Sequence, residues 1–218
     1  MRYLLQPRVL KLASVAALIS ALACFPRLSL WLNRPAPIWY LEVTIFVCAV
    51  VLWSFVFAWH LPYAGRPAFV FRLKPGLFFA TTIAGILVAA MCRVWLDPMI
   101  RSKFPEEFPD DLQHWLASVP FMLAFNQLFQ VFAPFDWLVR LSRNFWVATI
   151  LTALLGTVVL AMKIHSLAAP SPWLLTATLL ASRTIVGFLS ATVYLRGGIV
   201  LVWWWTFLIE SRHLLNLI

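Results

Sequence analysis

Charge is what this sequence has least of. Only 11% of its 218 residues are Asp, Glu, Lys or Arg, and 8 are acids, against 63% apolar residues and a mean hydropathy of +0.89. Soluble domains carry about 25% charged residues, so a water-soluble globule is excluded. Glycine is also scarce, at seven, and no Gly-x-Gly-x-x-Gly, Walker or Gly-x-Ser-x-Gly pattern occurs. ATP-driven transport and serine hydrolysis thereby lose their usual sequence support. The three cysteines, Cys24, Cys48 and Cys92, form no Cys-x-x-Cys pair and fall inside apolar runs, where they read as small core residues. The net charge of +9 is spread thinly between uncharged stretches. That is the pattern of membrane flanks rather than a nucleic-acid patch, and no nucleic-acid partner is expected.

What is present is a series of apolar runs: Leu12–Phe25, Val43–Trp59, Gly76–Cys92, Trp115–Phe135, Phe145–Met162, Trp173–Val193 and Ile199–Ile218. A helix needs about 20 residues to cross a bilayer, and only helices or closed barrels satisfy the backbone in lipid. The alternation of a barrel strand is absent. The expected fold is therefore all-α, a polytopic transmembrane helical bundle of about seven spans (six to eight), forming one domain over residues 1–218. Most of the 14 prolines fall between the runs, but Pro120 and Pro134 bracket the fourth, where they should kink or end it. Arg2, Arg8 and Lys11 ahead of the first run give the outline of a signal peptide, and Ala21-Leu22-Ala23-Cys24 approaches a lipoprotein cleavage site. Ala21 stands where a branched residue is expected there, which favours a retained first helix.

Lys and Arg set the orientation. With the N-terminus inside, the inner side holds Arg2, Arg8, Lys11, Arg66, Arg72, Lys74, Arg140, Arg143 and Arg196; the outer holds Arg27, Arg34, Arg101, Lys103, Lys163 and Arg212. The bias predicts a multi-pass protein of the cell inner membrane with a cytoplasmic N-terminus. Trp31, Trp39, Trp59 and Trp173 near run ends suit headgroup depth. Trp203-Trp204-Trp205 lies inside the last run, as lipid-facing and packing bulk or as the lining for an apolar substrate.

Polar groups inside apolar runs are functional candidates because each needs a partner in hydrocarbon. Asn126 and Gln130 lie one helical turn apart, with Gln127 beside them. Amides neither give nor take protons near neutral pH, and interhelical hydrogen bonding is their simplest use. Arg183 sits mid-run and calls for a carboxylate, carbonyls or a wet cavity. Glu210 is one candidate partner, and Glu42 with Arg93 forms a second candidate pair. Asp97, Glu106, Glu107, Asp110 and Asp111 concentrate in the third connection. Asp110 or Asp111 can N-cap the helix starting at Leu112, and either could share a divalent metal with His114. His60, His114, His165 and His213 all fall at run ends, as wetted terminal histidines, with His114, His165 and His213 alternatively parts of a polar outer vestibule.

Residues 112–216 resemble the CAAX-protease and bacteriocin-processing (CPBP) family of intramembrane proteases. The resemblance rests on Ile185-Val-Gly-Phe-Leu-Ser-Ala-Thr-Val-Tyr-Leu-Arg-Gly-Gly198 ahead of a last apolar helix, together with helix order. It implies a Glu-Glu-x3-Arg motif, then Phe-x3-His, then His-x3-Asn or Asp, whose acids and histidines activate water. By helix order the first falls on Asn126-Gln127 with Val131 at the Arg place, the second near Gly156 and Leu160, and the third near Phe207 and Ser211. None of these residues can polarise water, and losing acid–base chemistry forfeits about 10²–10⁴-fold in rate.

The expectation is thus a non-catalytic scaffold that binds membrane proteins or peptides, with no cofactor. One alternative is an active intramembrane protease using Glu106, Glu107, His114, His165 and His213, with zinc possible only there. The other is a small transporter or channel subunit with a polar path through Arg183, Asn126, Gln127 and Gln130.

Overall fold

The computed structural model describes residues 4–31, 34–60, 67–101, 105, 108–165 and 172–216. Among them there is no strand, and six helical stretches are long and apolar enough to cross a membrane. These are α1 (Pro7–Leu30), α2 (Ile38–His60), α3 (Pro75–Arg101), α4 (Leu112–Ser142) and α5 (Phe145–His165), then α6 (Trp173–Glu210), which runs on into a 3₁₀ turn, Ser211–Asn216. The expected all-α membrane bundle is what forms.

Local chemistry sets the boundaries. Asp111 caps α4 by accepting from the His114 backbone N–H at 2.7 Å, so of the two aspartates it is the second that starts the helix. Arg143, at φ 54°, ends α4 in the left-handed region and donates its N–H to Val139 O at 2.8 Å. Asn144 Oδ1 then accepts from Trp146 and Val147 N–H and opens α5. Pro120 and Pro134 do not end α4; both lie inside it. The ladder widens instead, with Gln127 N–H bonded to Met122 O and Ala133 N–H to Leu128 O. These are five-residue π turns. In α3 Asp97 N–H reaches Cys92 O in the same way. Pro98 and Pro134 each follow such a turn by two residues, where the extra residue relieves the clash of the proline ring with the preceding turn.

Small residues let the first two helices approach closely. Ala13, Ala17, Ser20, Ala21 and Cys24 form one buried stripe of α1, and Trp53 of α2 donates its indole N–H to Ser20 Oγ at 3.0 Å. Close packing over small residues is the means of helix association where lipid supplies no hydrophobic drive. Outward faces stay apolar, as in Val43, Val47 and Val51 on α2 or Ile83, Ile86 and Leu87 on α3, all exposed. An aromatic layer running Trp203–Phe69–Trp53–Phe132–Tyr194 crosses the core, with successive ring centroids 5.0–6.4 Å apart.

The sixth and seventh sequence runs are joined with no loop between them. Both arms of α6 are helical, but Gly198 between them has φ 73° and ψ −166°. Trp205 Nε1 donates to Ser190 Oγ at 3.0 Å across 15 residues, which a straight helix would hold about 22 Å apart. The chain therefore doubles back at Gly198, and arms 173–197 and 199–210 lie side by side. The second arm runs through the middle of the bundle, with Leu201, Val202 and Trp205 fully or almost fully buried. The three tryptophans accordingly serve as packing bulk, Trp205 buried and Trp203 and Trp204 partly so. Trp203 packs on Phe69, Trp204 donates to Thr82 Oγ1 at 2.9 Å and Trp205 reaches Ser190, since consecutive helical positions point about 100° apart.

Only glycine adopts the Gly198 conformation without strain, and a Cβ there would also lie 3.2 Å from Ala68 O. Gly198→Ala is expected to cost about 1–3 kcal/mol, read as a lowered thermal midpoint of the detergent-solubilised protein. A midpoint equal to wild type would refute the requirement for a reversal at this residue.

Candidate functional site

One cavity of about 1040 Å³ opens inside the bundle and gathers most of the polar candidates. Its wall comes from the C-terminal parts of α1, α3 and α5, the first half of α4 and both arms of α6. In an antiparallel bundle these parts share one end of the molecule. The reversal at Gly198 is what brings Thr206 and Glu210 opposite Arg183 and Ser190. Asn126, Gln127, Gln130, Arg183, Glu210, His114 and His213 all line it. His165 is exposed at the end of α5 and does not. Glu106 and Glu107 lie outside the described residues.

At the deep end, Gln130 Nε2 donates to Asn126 Oδ1 at 2.6 Å, and Asn126 Nδ2 contacts Met122 Sδ at 3.3 Å. The pair predicted from its one-turn spacing forms and satisfies itself. Gln127 differs, because its buried Oε1 has no hydrogen-bond partner, and neither have the buried Oγ1 atoms of Thr152 and Thr206. Helical hydroxyls usually bond back to the carbonyl four residues earlier, as Ser190 does to Val186 O at 2.8 Å. Thr152 and Thr206 do not. Nothing in their sequence context marks them out, which is why they escaped a reading based on residue type.

Arg183 lies ten positions after Trp173, about 15 Å along the helix and so near the middle of a hydrocarbon core about 30 Å thick. Its guanidinium rests against Gly156, where a Cβ would stand 3.2 Å from Nη2 and 3.3 Å from Nε. The expected Glu210–Arg183 pair does not form. Glu210 instead lies 4.0 Å from Arg212 Nη1 and 3.8 Å from His213 Nε2. Arg212 Nε is shared by both Asp97 carboxylate oxygens at 3.2 Å, and its Nη1 donates to Ile209 O at 2.9 Å. Arg93 likewise does not pair with Glu42; it donates to Leu215 O at 3.2 Å, and Glu42 Oε1 has no hydrogen-bond partner. Asp97 and Arg212 compete better for each other because the end of α3 and the turn after α6 meet directly.

At the mouth, Asp111 Oδ1 is 3.0 Å from His114 Nδ1, and the His114 backbone N–H holds the Asp111 carboxyl below the usual carboxylate range. Both groups are occupied in the helix cap. No group of three His, Cys, Asp or Glu able to hold a metal occurs among the described residues, so the spacing of Asp110, Asp111 and His114 does not gather a ligand set there. His213 is buried against the Phe108 ring, centroids 5.3 Å apart. The reading of all four histidines as wetted helix ends therefore fails for His213 and also for His60.

His60 belongs to a second polar cluster at the opposite end of the bundle. His60 Nε2 lies 2.9 Å from Tyr194 Oη, which donates to Asp136 Oδ2 at 2.7 Å. All three are buried, Asp136 completely. The chain ties the ends of α2 and α4 to the first arm of α6. Sequence reasoning missed it because Asp136 stands beside Pro134 at a run end and Tyr194 reads as an ordinary aromatic; only the doubled-back α6 brings them together. Removing the Tyr194 hydroxyl takes both of these buried hydrogen bonds from the cluster, at about 0.5–1.5 kcal/mol each. Tyr194→Phe should lower the thermal midpoint accordingly, whereas an unchanged midpoint would show that the hydroxyl is dispensable.

No family model, curated protein or solved structure matches this chain.

Proposed function

We propose that this protein is a non-catalytic intramembrane scaffold that receives a membrane-resident molecule in the cavity between α4, α5 and the two arms of α6. The observation that carries this reading is the chemistry of the deep wall: amides, hydroxyls and one guanidinium, groups that bind and orient but do not activate water near neutral pH. The volume stands at the upper end of ordinary ligand sites. A CPBP-like scaffold agrees with the placement of Asn126, Gln127, Val131, Gly156 and Leu160, the positions assigned to that family's first two motifs, on this one cavity. Phe207 and Ser211, assigned to the third, are not in its lining, but Thr206, Ile209 and Glu210 are. The lining stops at Gln130, Val131 and Ser190, next to the packed layer of Phe132 and Tyr194, which favours a one-ended binding site over a through path. The Lys and Arg distribution supports an inner-membrane location with the N-terminus in the cytoplasm and the cavity mouth on the outer side.

A hydrolytic reading takes support from His213 Nε2 at 3.8 Å from Glu210 Oε2 and from His114 in the same cavity. Zinc belongs to that reading alone. Photo-crosslinking separates the two. A benzophenone amino acid replaces Met122, which lines the cavity, or Leu116, which is 56% exposed on the same helix, and adducts formed in native membranes are weighed by mass spectrometry. The scaffold reading expects an intact adduct at 122, well above that at 116 and unchanged in His213→Ala. Equal labelling at both sites would overturn it. So would an adduct at 122 that is cleaved with time and spared in His213→Ala, which the hydrolase reading requires.

A further inference from the structure

We propose that the cavity holds the anionic head group, phosphate or carboxylate, of a membrane lipid, bound through Arg183. The inference rests on the binding function above and names its ligand. A cation at mid-bilayer depth is costly unless it is paired or wetted. Arg183 makes no ion pair or hydrogen bond with any described side chain, since the two acids nearest the cavity mouth in sequence, Asp97 and Glu210, are engaged by Arg212 and His213. Gly156 keeps the room into which the guanidinium extends. A planar fork of five N–H donors suits two oxygens of a carboxylate or phosphate at once.

Independent polar atoms agree with an oxyanion. Thr152 and Thr206 are almost fully buried, line the same cavity and leave their hydroxyls unpartnered. Each hydroxyl carries a proton to donate; Gln127 lines the same cavity, but the atom it leaves unpartnered is the acceptor Oε1, so the two threonines carry this part of the case. A buried hydroxyl left alone is costly, so two of them lining the cavity of an unpaired cation describe a site whose counter-charge comes from outside the chain. The rest of the wall decides the class of molecule. Leu96, Leu160, Leu179 and Val186 make most of the surroundings apolar, which suits acyl chains and disfavours a free, hydrated anion. Arg27, which makes no ion pair with a described acid, also lines the cavity and carries the same sign as Arg183, whereas Arg212 is taken by Asp97.

The test uses the full-length protein in an uncharged maltoside detergent, with lipid retention read by native mass spectrometry. Phosphatidylglycerol, oleate, phosphatidylcholine and inorganic phosphate are offered separately. The anionic lipids should be retained at least tenfold more strongly than phosphatidylcholine. Arg183→Gln should abolish that preference, Arg183→Lys should retain part of it, and Arg72→Gln, an exposed control, should leave it intact. Folding of each variant is checked by its thermal midpoint. Inorganic phosphate binding as tightly as the lipids, or a bound peptide mass in place of a lipid, would overturn the assignment. Phosphatidylcholine retained equally in wild type and Arg183→Gln would overturn the anion site but leave a binding cavity standing. Retention of nothing by any variant, with no adduct at position 122, would remove both.

Discussion

The doubling back of α6 at Gly198 is the constraint on which the rest of this structure depends. Two apolar arms joined by one residue cannot both face lipid, so the second arm is driven into the centre of the bundle. There it becomes the surface on which the others pack: Trp203 on Phe69, Trp204 on Thr82 and Trp205 on Ser190. Gly85 of α3 faces Leu208 of that arm so closely that a Cβ would stand 2.9 Å from Leu208 Cδ1. The segment around Ala68 closes against the bend itself, with Ile199 N–H directed at Ala68 O at 3.4 Å. A left-handed glycine thus fixes the core, and the cavity is the space that the hairpin leaves between its own arms, α4 and α5.

Sequence signals of different range had different success, and the division is physical. Apolar runs and helix caps depend on neighbours in the chain, so seven runs, the Asp111 cap and the Asn126–Gln130 contact were all legible. Pro120 and Pro134 were expected to kink or end the helix; neither ends it, and at Pro134 the turn just before the ring is widened. Long-range pairings were the least legible. Charge suggested Arg183 with Glu210, and charge and depth suggested Arg93 with Glu42, yet Asp97 took Arg212 through a junction of helix ends that no spacing encodes. The His60–Tyr194–Asp136 chain needed the reversal of α6 to exist, and residue type alone had assigned His60 to headgroup water.

The two ends of the bundle solve the same problem in opposite ways. Polar side chains in lipid must be satisfied by protein, by water or by a ligand. At one end His60, Tyr194 and Asp136 bind one another, the cluster is sealed by Phe132 and Phe135, and the Tyr194 ring contacts both. Such an arrangement ties helices together. At the other end Gln130 donates to Asn126, Asp97 satisfies Arg212, and Arg183, Gln127, Thr152 and Thr206 line the cavity, the last three each with a buried oxygen left unpartnered.

That contrast bears on the ligand more than either cluster does alone. A chain this poor in charge has few carboxylates to place, and those described near the cavity serve the mouth instead of its floor. If Arg183 were only structural, a carboxylate facing it would be the simplest way to stabilise it; α5 turns Gly156, against which the guanidinium rests, and Thr152, one turn earlier, to the cavity. Instead these positions carry a bare Cα and a hydroxyl, which preserve room and a hydrogen-bond donor. A floor with a fixed cation, donors and no acid is complementary to an anion that arrives with its own apolar tail.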